Sequence, residues 1–193
     1  IPTFSIGQHH FGGDLAELIV YNSTLNQTQR ILVENYLAAK YDLNLAAGND
    51  RYVFESTHNH DIAGIGRISS EDYHTGATSG DMLTIENPAD LSDGEYLIFG
   101  HDNADISGWY ENELLSDSLK RLNREWIFDL TGKPGTIDIS VNTSKLPALP
   151  PGHEGYFLLK DEDGDFSSGA EIIPMTLNGN SLQIQGLSLE DSM

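Results

Sequence analysis

The chain has 193 residues, 38% of them hydrophobic, with 19 glycines, 7 prolines and no cysteine. That is enough for one sizeable core, or a small domain with an appendage, built from many short strands, and it excludes disulfides as a source of stability. Thirty acidic residues against ten basic ones leave a formal charge of −20, a surface that repels nucleic-acid backbones and anionic lipid alike.

Ile1-Pro2-Thr3-Phe4 lacks the basic flank and cleavage-like site of a secretory leader. No apolar run is long enough to insert in a membrane. An exported form is therefore expected to have been cut from something larger. Phe4-Ser5-Ile6-Gly7 alternates weakly, and Gly12-Gly13 turns the chain. Residues 15–21, Leu-Ala-Glu-Leu-Ile-Val-Tyr, read as a strand of mostly buried character. From Asn26 the period becomes helical, with Ile31, Leu32, Asn35, Tyr36, Ala39 and Lys40 on one face and Val33 and Leu37 widening it. Asn26 is the expected N-cap, and Lys40 suits the C-terminal end. Residues 42–50 read as a linker.

Beyond residue 50 short strands alternate with turns. Strands are expected at 51–55, 62–68, 82–86, 96–100, 124–129, 136–141, 156–160, 172–177 and 181–185, with a helical stretch over roughly 111–122 interrupting them. Asn178-Gly179 is a two-residue hairpin signal, and 132–135 and 146–152 are loops set by proline and glycine. This spacing predicts a mostly β fold: an antiparallel β-sandwich with one N-terminal α-helix and one short internal helix.

Clustered carboxylates point to calcium, which takes six to eight hard oxygens from acidic loops. Asp161, Asp163 and Asp165 fall at alternate positions around Gly164. Here the glycine comes too early for an EF-hand loop, and Ile172 stands where that loop needs an acid. Asp102, Asn103 and Asp105 follow the strand ending at Gly100 and form a second candidate set, joined by Asp90, Asp93 or Glu95 from the preceding turn. An acidic hairpin turn and a solvated Asx-turn loop are the ordinary readings of these two stretches. His58-Asn59-His60-Asp61 offers two histidines for zinc, with no third ligand nearby in sequence. Trp109 and Tyr110 would present aromatic faces to a sugar; their ordinary reading is core. The chain lacks a nucleophile elbow, a phosphate-cradling loop and a zincin helix, so no catalytic residue is expected.

Phe11-Gly12-Gly13-Asp14-Leu15-Ala16-Glu17-Leu18-Ile19-Val20-Tyr21, followed by Leu25 and Tyr36-Leu37-Ala38-Ala39-Lys40-Tyr41, resembles the closing strand and trailing helix of laminin-G-like (concanavalin-A-like) jelly rolls in bacterial surface proteins. The remainder is similar to the uncharacterised β-sandwich module that follows that helix. The matching residues are Ala63-Gly64-Ile65-Gly66-Arg67, Gly94-Glu95-Tyr96-Leu97-Ile98-Phe99-Gly100-His101, Arg124-Glu125-Trp126, and the stretch from Leu158 to Phe166. A complete jelly roll needs many strands before Phe4, and a terminal strand is expected after Asp191. The resemblance carries no catalytic residues and implies a multi-domain exported protein, extracellular and on the bacterial cell surface, among them calcium-dependent repeat adhesins. It divides the chain into a strand–helix remnant, 1–48, and a sandwich module, 49–193. The function expected is a non-catalytic scaffold of an adhesin, stabilised by calcium, with neighbouring or inserted domains of the same polypeptide as partners. The alternatives are a carbohydrate- or peptide-binding module, and an accessory domain of a secreted polysaccharide-degrading enzyme.

Overall fold

The computed structural model describes residues 12–191. The weak strand expected at Phe4-Ser5-Ile6-Gly7, like His9, His10, Phe11 and Met193, lies outside the described residues.

Helix α1 (Gln27–Tyr41) starts where the cap chemistry places it. Asn26 Oδ1 accepts the Gln29 amide at 2.8 Å, and the Gln29 side chain accepts the Asn26 amide at 3.1 Å, a reciprocal capping box. The helix stops at Asp42, in left-handed conformation with φ of 53°.

Eleven strands follow. β1 (His60–Ser69), β2 (Asp72–His74), β5 (Tyr96–His101) and β6 (Trp126–Thr131) form a four-stranded sheet in the order β2-β1-β5-β6. β3 (Gly76–Ser79), β4 (Leu83–Glu86), β7 (Ile137–Asn142), β10 (Thr176–Asn178) and β11 (Ser181–Leu187) form a five-stranded sheet in the order β10-β11-β7-β4-β3. β8 (Phe157–Lys160) and β9 (Glu171–Pro174) make a separate hairpin. All these pairings are antiparallel. A 3-10 turn occupies Thr143–Lys145.

The two large sheets pack face to face. Ile65, Leu97, Phe99 and Phe128 meet Leu83, Ile85, Ile137, Ile139 and Leu187 in the main core. Side chains alternate across a strand, so Ile98 of β5 points the other way. There it joins Ile62, Ala39 and Tyr52, with Leu32 and Tyr36 of α1 packed over them. The result is three layers, helix on sheet on sheet. Both faces of β5 are covered, which explains its unbroken apolar run.

Two glycines let the helix and its neighbours approach. A Cβ on Gly64 would lie 2.8 Å from the Leu97 carbonyl oxygen and 3.0 Å from Leu32 Cδ2 of α1. One on Gly66 would meet the Tyr96 ring.

Four expected elements differ. Residues 172–177, read as one strand, divide between β9 of the hairpin and β10 of the five-stranded sheet. Residues 15–21 form no strand and, among the described residues, pair with none, and Leu15, Leu18 and Val20 are 69, 75 and 82% exposed. A strand is buried by neighbours, and apolar pattern alone does not supply them. Residues 51–55 are likewise unpaired, although Tyr52 is fully buried and the Val53 amide donates to the Asp129 carboxylate at 2.8 Å. Residues 111–122 form no helix. Glu113 sits at a φ of +51°, the Ser116 hydroxyl accepts the Ser118 amide at 3.3 Å, and the loop is closed by a bridge between Tyr110 and Arg121. Serine here satisfies turn backbone instead of a helical ladder. The short strands β2 and β3 carry too little apolar pattern to be read in advance.

Candidate functional site

The helix is bolted to its surroundings by polar groups. Asp72, at the start of β2, accepts the Gln27 and Thr28 amides at 3.0 and 2.8 Å, and its own carbonyl accepts the Thr28 hydroxyl at 3.0 Å. These bonds hold the Asp72 carboxyl below the usual range, the Thr28 hydroxyl contributing most. Asn35, fully buried in the middle of the helix, donates to the Ile31 and Asn49 carbonyls and accepts the Arg51 amide, each at 2.8 Å. That one amide ties the helix to the segment entering the sandwich.

On the opposite flank α1 grips residues 15–21. Glu17 accepts from Lys40 Nζ at 3.0 Å, from the Tyr41 hydroxyl at 2.8 Å and from the Tyr36 hydroxyl at 3.0 Å. The Lys40 contact leads in lowering the Glu17 carboxyl, and the Tyr36 hydroxyl leads in raising the Lys40 ammonium. A groove of about 630 Å³ runs beneath, between Ile19 and Tyr21 on one side and Leu32, Ala63 and Ala77 on the other. This strap turns its apolar outer edge, Leu15, Leu18 and Val20, to solvent.

The acidic loops spend oxygens on their own backbone. Asp161 Oδ1 accepts the Asp163 and Gly164 amides at 2.8 and 2.9 Å, Asp163 Oδ1 accepts the Asp165 amide at 2.9 Å, and Asp165 Oδ1 accepts the Ser167 amide and hydroxyl at 3.0 and 2.6 Å. Asp102 Oδ1 accepts the Ala104 and Glu125 amides at 3.0 and 3.2 Å. Asn103 Oδ1 accepts from an Arg124 guanidinium nitrogen at 3.4 Å. Asp105 accepts from the Ser107 and Tyr110 hydroxyls, which lower its carboxyl to about 2. Among the described residues no group of three or more histidines and acids is arranged to hold a metal ion.

His101, just past the strand expected at 96–100, is the buried last residue of β5. Its Nδ1 accepts the Asn103 amide at 3.0 Å, which leaves the proton on Nε2 to be donated to Asp61 at 3.0 Å. Burial lowers its affinity for a second proton. Both ring nitrogens are committed, so this His–Asp pair has no free atom with which to take a proton from a substrate. His60 stacks on His101 at 5.8 Å, and His58 Nδ1 lies 3.0 Å from the Thr57 hydroxyl.

The second feature with site-like shape is a cavity of about 230 Å³ at one end of the sandwich. Its floor is core: Leu83, Phe128, Ile139 and Leu182. Trp109, Tyr156 and Phe166 form its walls. Trp109 is held there by an indole N–H bond to the Ala148 carbonyl at 3.0 Å, and its ring stands 6.2 Å from that of Tyr156. Tyr110, the other expected ligand-binding residue, points to Asp105 and is not part of the lining. Arg121, 8% exposed, is clamped by Glu125 and Glu113 at 2.7 and 2.5 Å and covered by the Phe166 ring at 5.0 Å. A sealed apolar void of this size would cost on the order of 5 kcal/mol. Sequence spacing carried no sign of it, because Trp109 and the stretch holding Tyr156 and Phe166 are far apart along the chain.

The chain belongs to the family described as Domain of unknown function (DUF8202), which matches residues 29–193 and so begins inside α1. No curated protein and no solved structure matches it. Among the described residues no helix is long and apolar enough to cross a membrane.

Proposed function

We propose that this chain is a non-catalytic structural module of a large exported bacterial surface protein of the adhesin type. It is a rigid joint that holds neighbouring or inserted ligand-binding domains of the same polypeptide at a fixed distance, outside the cell. The observation that supports this best is the strap. Residues 15–21 belong to no strand and keep an exposed apolar edge, yet Glu17 is pinned by three groups of α1, and α1 is itself pinned to the sandwich by Asp72 and Asn35. An exposed apolar segment of strand-like sequence invites pairing, and a neighbouring domain completing its sheet on it would be fixed in orientation to the sandwich.

Calcium enters this reading as a weak, loop-level stabiliser at Asp161, Asp163 and Asp165. Backbone carbonyls and water would complete its shell, in the affinity range of extracellular modules. The test of the joint is a polypeptide carrying the preceding domain together with this chain. Leu18→Ser with Val20→Ser should leave the melting of this chain alone unchanged, because both side chains are solvent-exposed, while uncoupling the two domains in a calorimetric scan. Coupling that survives the double substitution refutes the strap as the joint.

A further inference from the structure

We propose that the cavity between the sheets, Trp109 and the β8–β9 hairpin is a binding site for a small neutral molecule with an aromatic body and one polar group. The size sets the first limit. Filling about 230 Å³ at the density of a protein interior leaves room for a guest of roughly 170 Å³, a two-ring hydrocarbon. The walls set the second. Trp109, Tyr156 and Phe166 offer flat faces, and Trp109 is fixed in place by Ala148, so the slot is pre-formed for a ring.

Charge sets the third limit. Three cations line the cavity: Arg121 is spent on Glu113 and Glu125, Lys120 is paired with Glu111, and Arg124 donates to the Ala104 carbonyl at 3.1 Å and to Asn103 Oδ1. A carboxylate or phosphate entering the site meets two cations already paired with carboxylates and a third engaged by neutral oxygens, and the chain's charge of −20 repels it on approach. The polar group is assigned by His153. It lines the cavity, and its Nδ1 is buried without a hydrogen-bond partner. A buried ring nitrogen left unpaired is costly, and a turn of the His153 ring toward the cavity would pair it with a guest hydroxyl. A sugar, with hydroxyls all round, finds one such partner and otherwise hydrocarbon.

The experiment is a methyl NMR titration of the full chain, following Ile139 and Leu182, with 2-naphthol, naphthalene and decanoate as probes. Saturable shifts are expected for 2-naphthol with a Kd below about 1 mM, at least threefold weaker binding for naphthalene, and none for decanoate. Leu149→Trp, at the lining, should abolish both aromatic titrations while the melting midpoint stays or rises. His153→Phe should erase only the preference for 2-naphthol. Absence of saturable shifts in the folded chain, or shifts unchanged in Leu149→Trp, overturns the site. Decanoate binding as tightly as 2-naphthol, or a preference that survives His153→Phe, overturns the ligand class.

Discussion

Replacing Asn35 by alanine tests whether the helix and sandwich act as one body. The side chain is 1% exposed and makes three hydrogen bonds, two of which cross to Asn49 and Arg51. Losing the bond to Ile31 matters least, because that carbonyl belongs to the helix's own ladder. Each crossing bond is worth about 1 kcal/mol, and leaving the Asn49 carbonyl and Arg51 amide short of partners adds to that. Alanine's better helix propensity returns about half a kcal/mol. The net loss is about 2 kcal/mol, which for a chain of this size lowers the melting midpoint by about 4–8 °C. Thermal circular dichroism measures it, with hydrogen exchange showing whether α1 opens before the sheets. A midpoint within about 1 °C of the parent would refute the clamp. So would a helix that already exchanges independently in the parent.

Asp129 is buried, and that burial is the main cause of a raised carboxyl, partly offset by the Val53 amide. A carboxyl that holds its proton more tightly when folded loses stability as pH rises from about 4 through its folded value. Asp129→Asn keeps an acceptor for Val53, so its midpoint should exceed the parent's at pH 7 and converge with it near pH 4; a lower midpoint at pH 7 refutes this. For the acidic β8–β9 loop, 10 mM calcium on a site of about 1 mM affinity adds about 1.4 kcal/mol, or about 3–6 °C, over magnesium at matched ionic strength. Equal shifts from the two ions, or a calcium shift that persists in Asp163→Asn with Asp165→Asn, would leave charge screening as the only effect.

Much of the scaffold was legible because local and global signals agree. Asn26 caps α1 and Lys40 sits in its last turn; Asn178-Gly179 turns β10 into β11; and the apolar run of β5 marks the strand buried on both faces. The misreading of residues 15–21 has one physical cause, the dependence of burial on partners. Leu15, Leu18 and Val20 have the pattern of a buried strand, but no described neighbour covers them. Asn35 falls on the helix's apolar face, where its position predicts core, and it is core, as a hydrogen-bonded clamp. The candidate site was less legible. Trp109 was singled out, but the His153 nitrogen and the Tyr156 wall that give the cavity its character come from a distant stretch whose meeting with Trp109 is a matter of tertiary packing.

The central claim is that residues 15–21 are the seam through which this module is joined to its neighbour. Amide exchange of those residues, compared between this chain alone and a polypeptide extended by the preceding domain, tests it directly. Fast exchange in the short chain and protection by at least about 100-fold in the extended one is the predicted result. Equal, rapid exchange in both would contradict it.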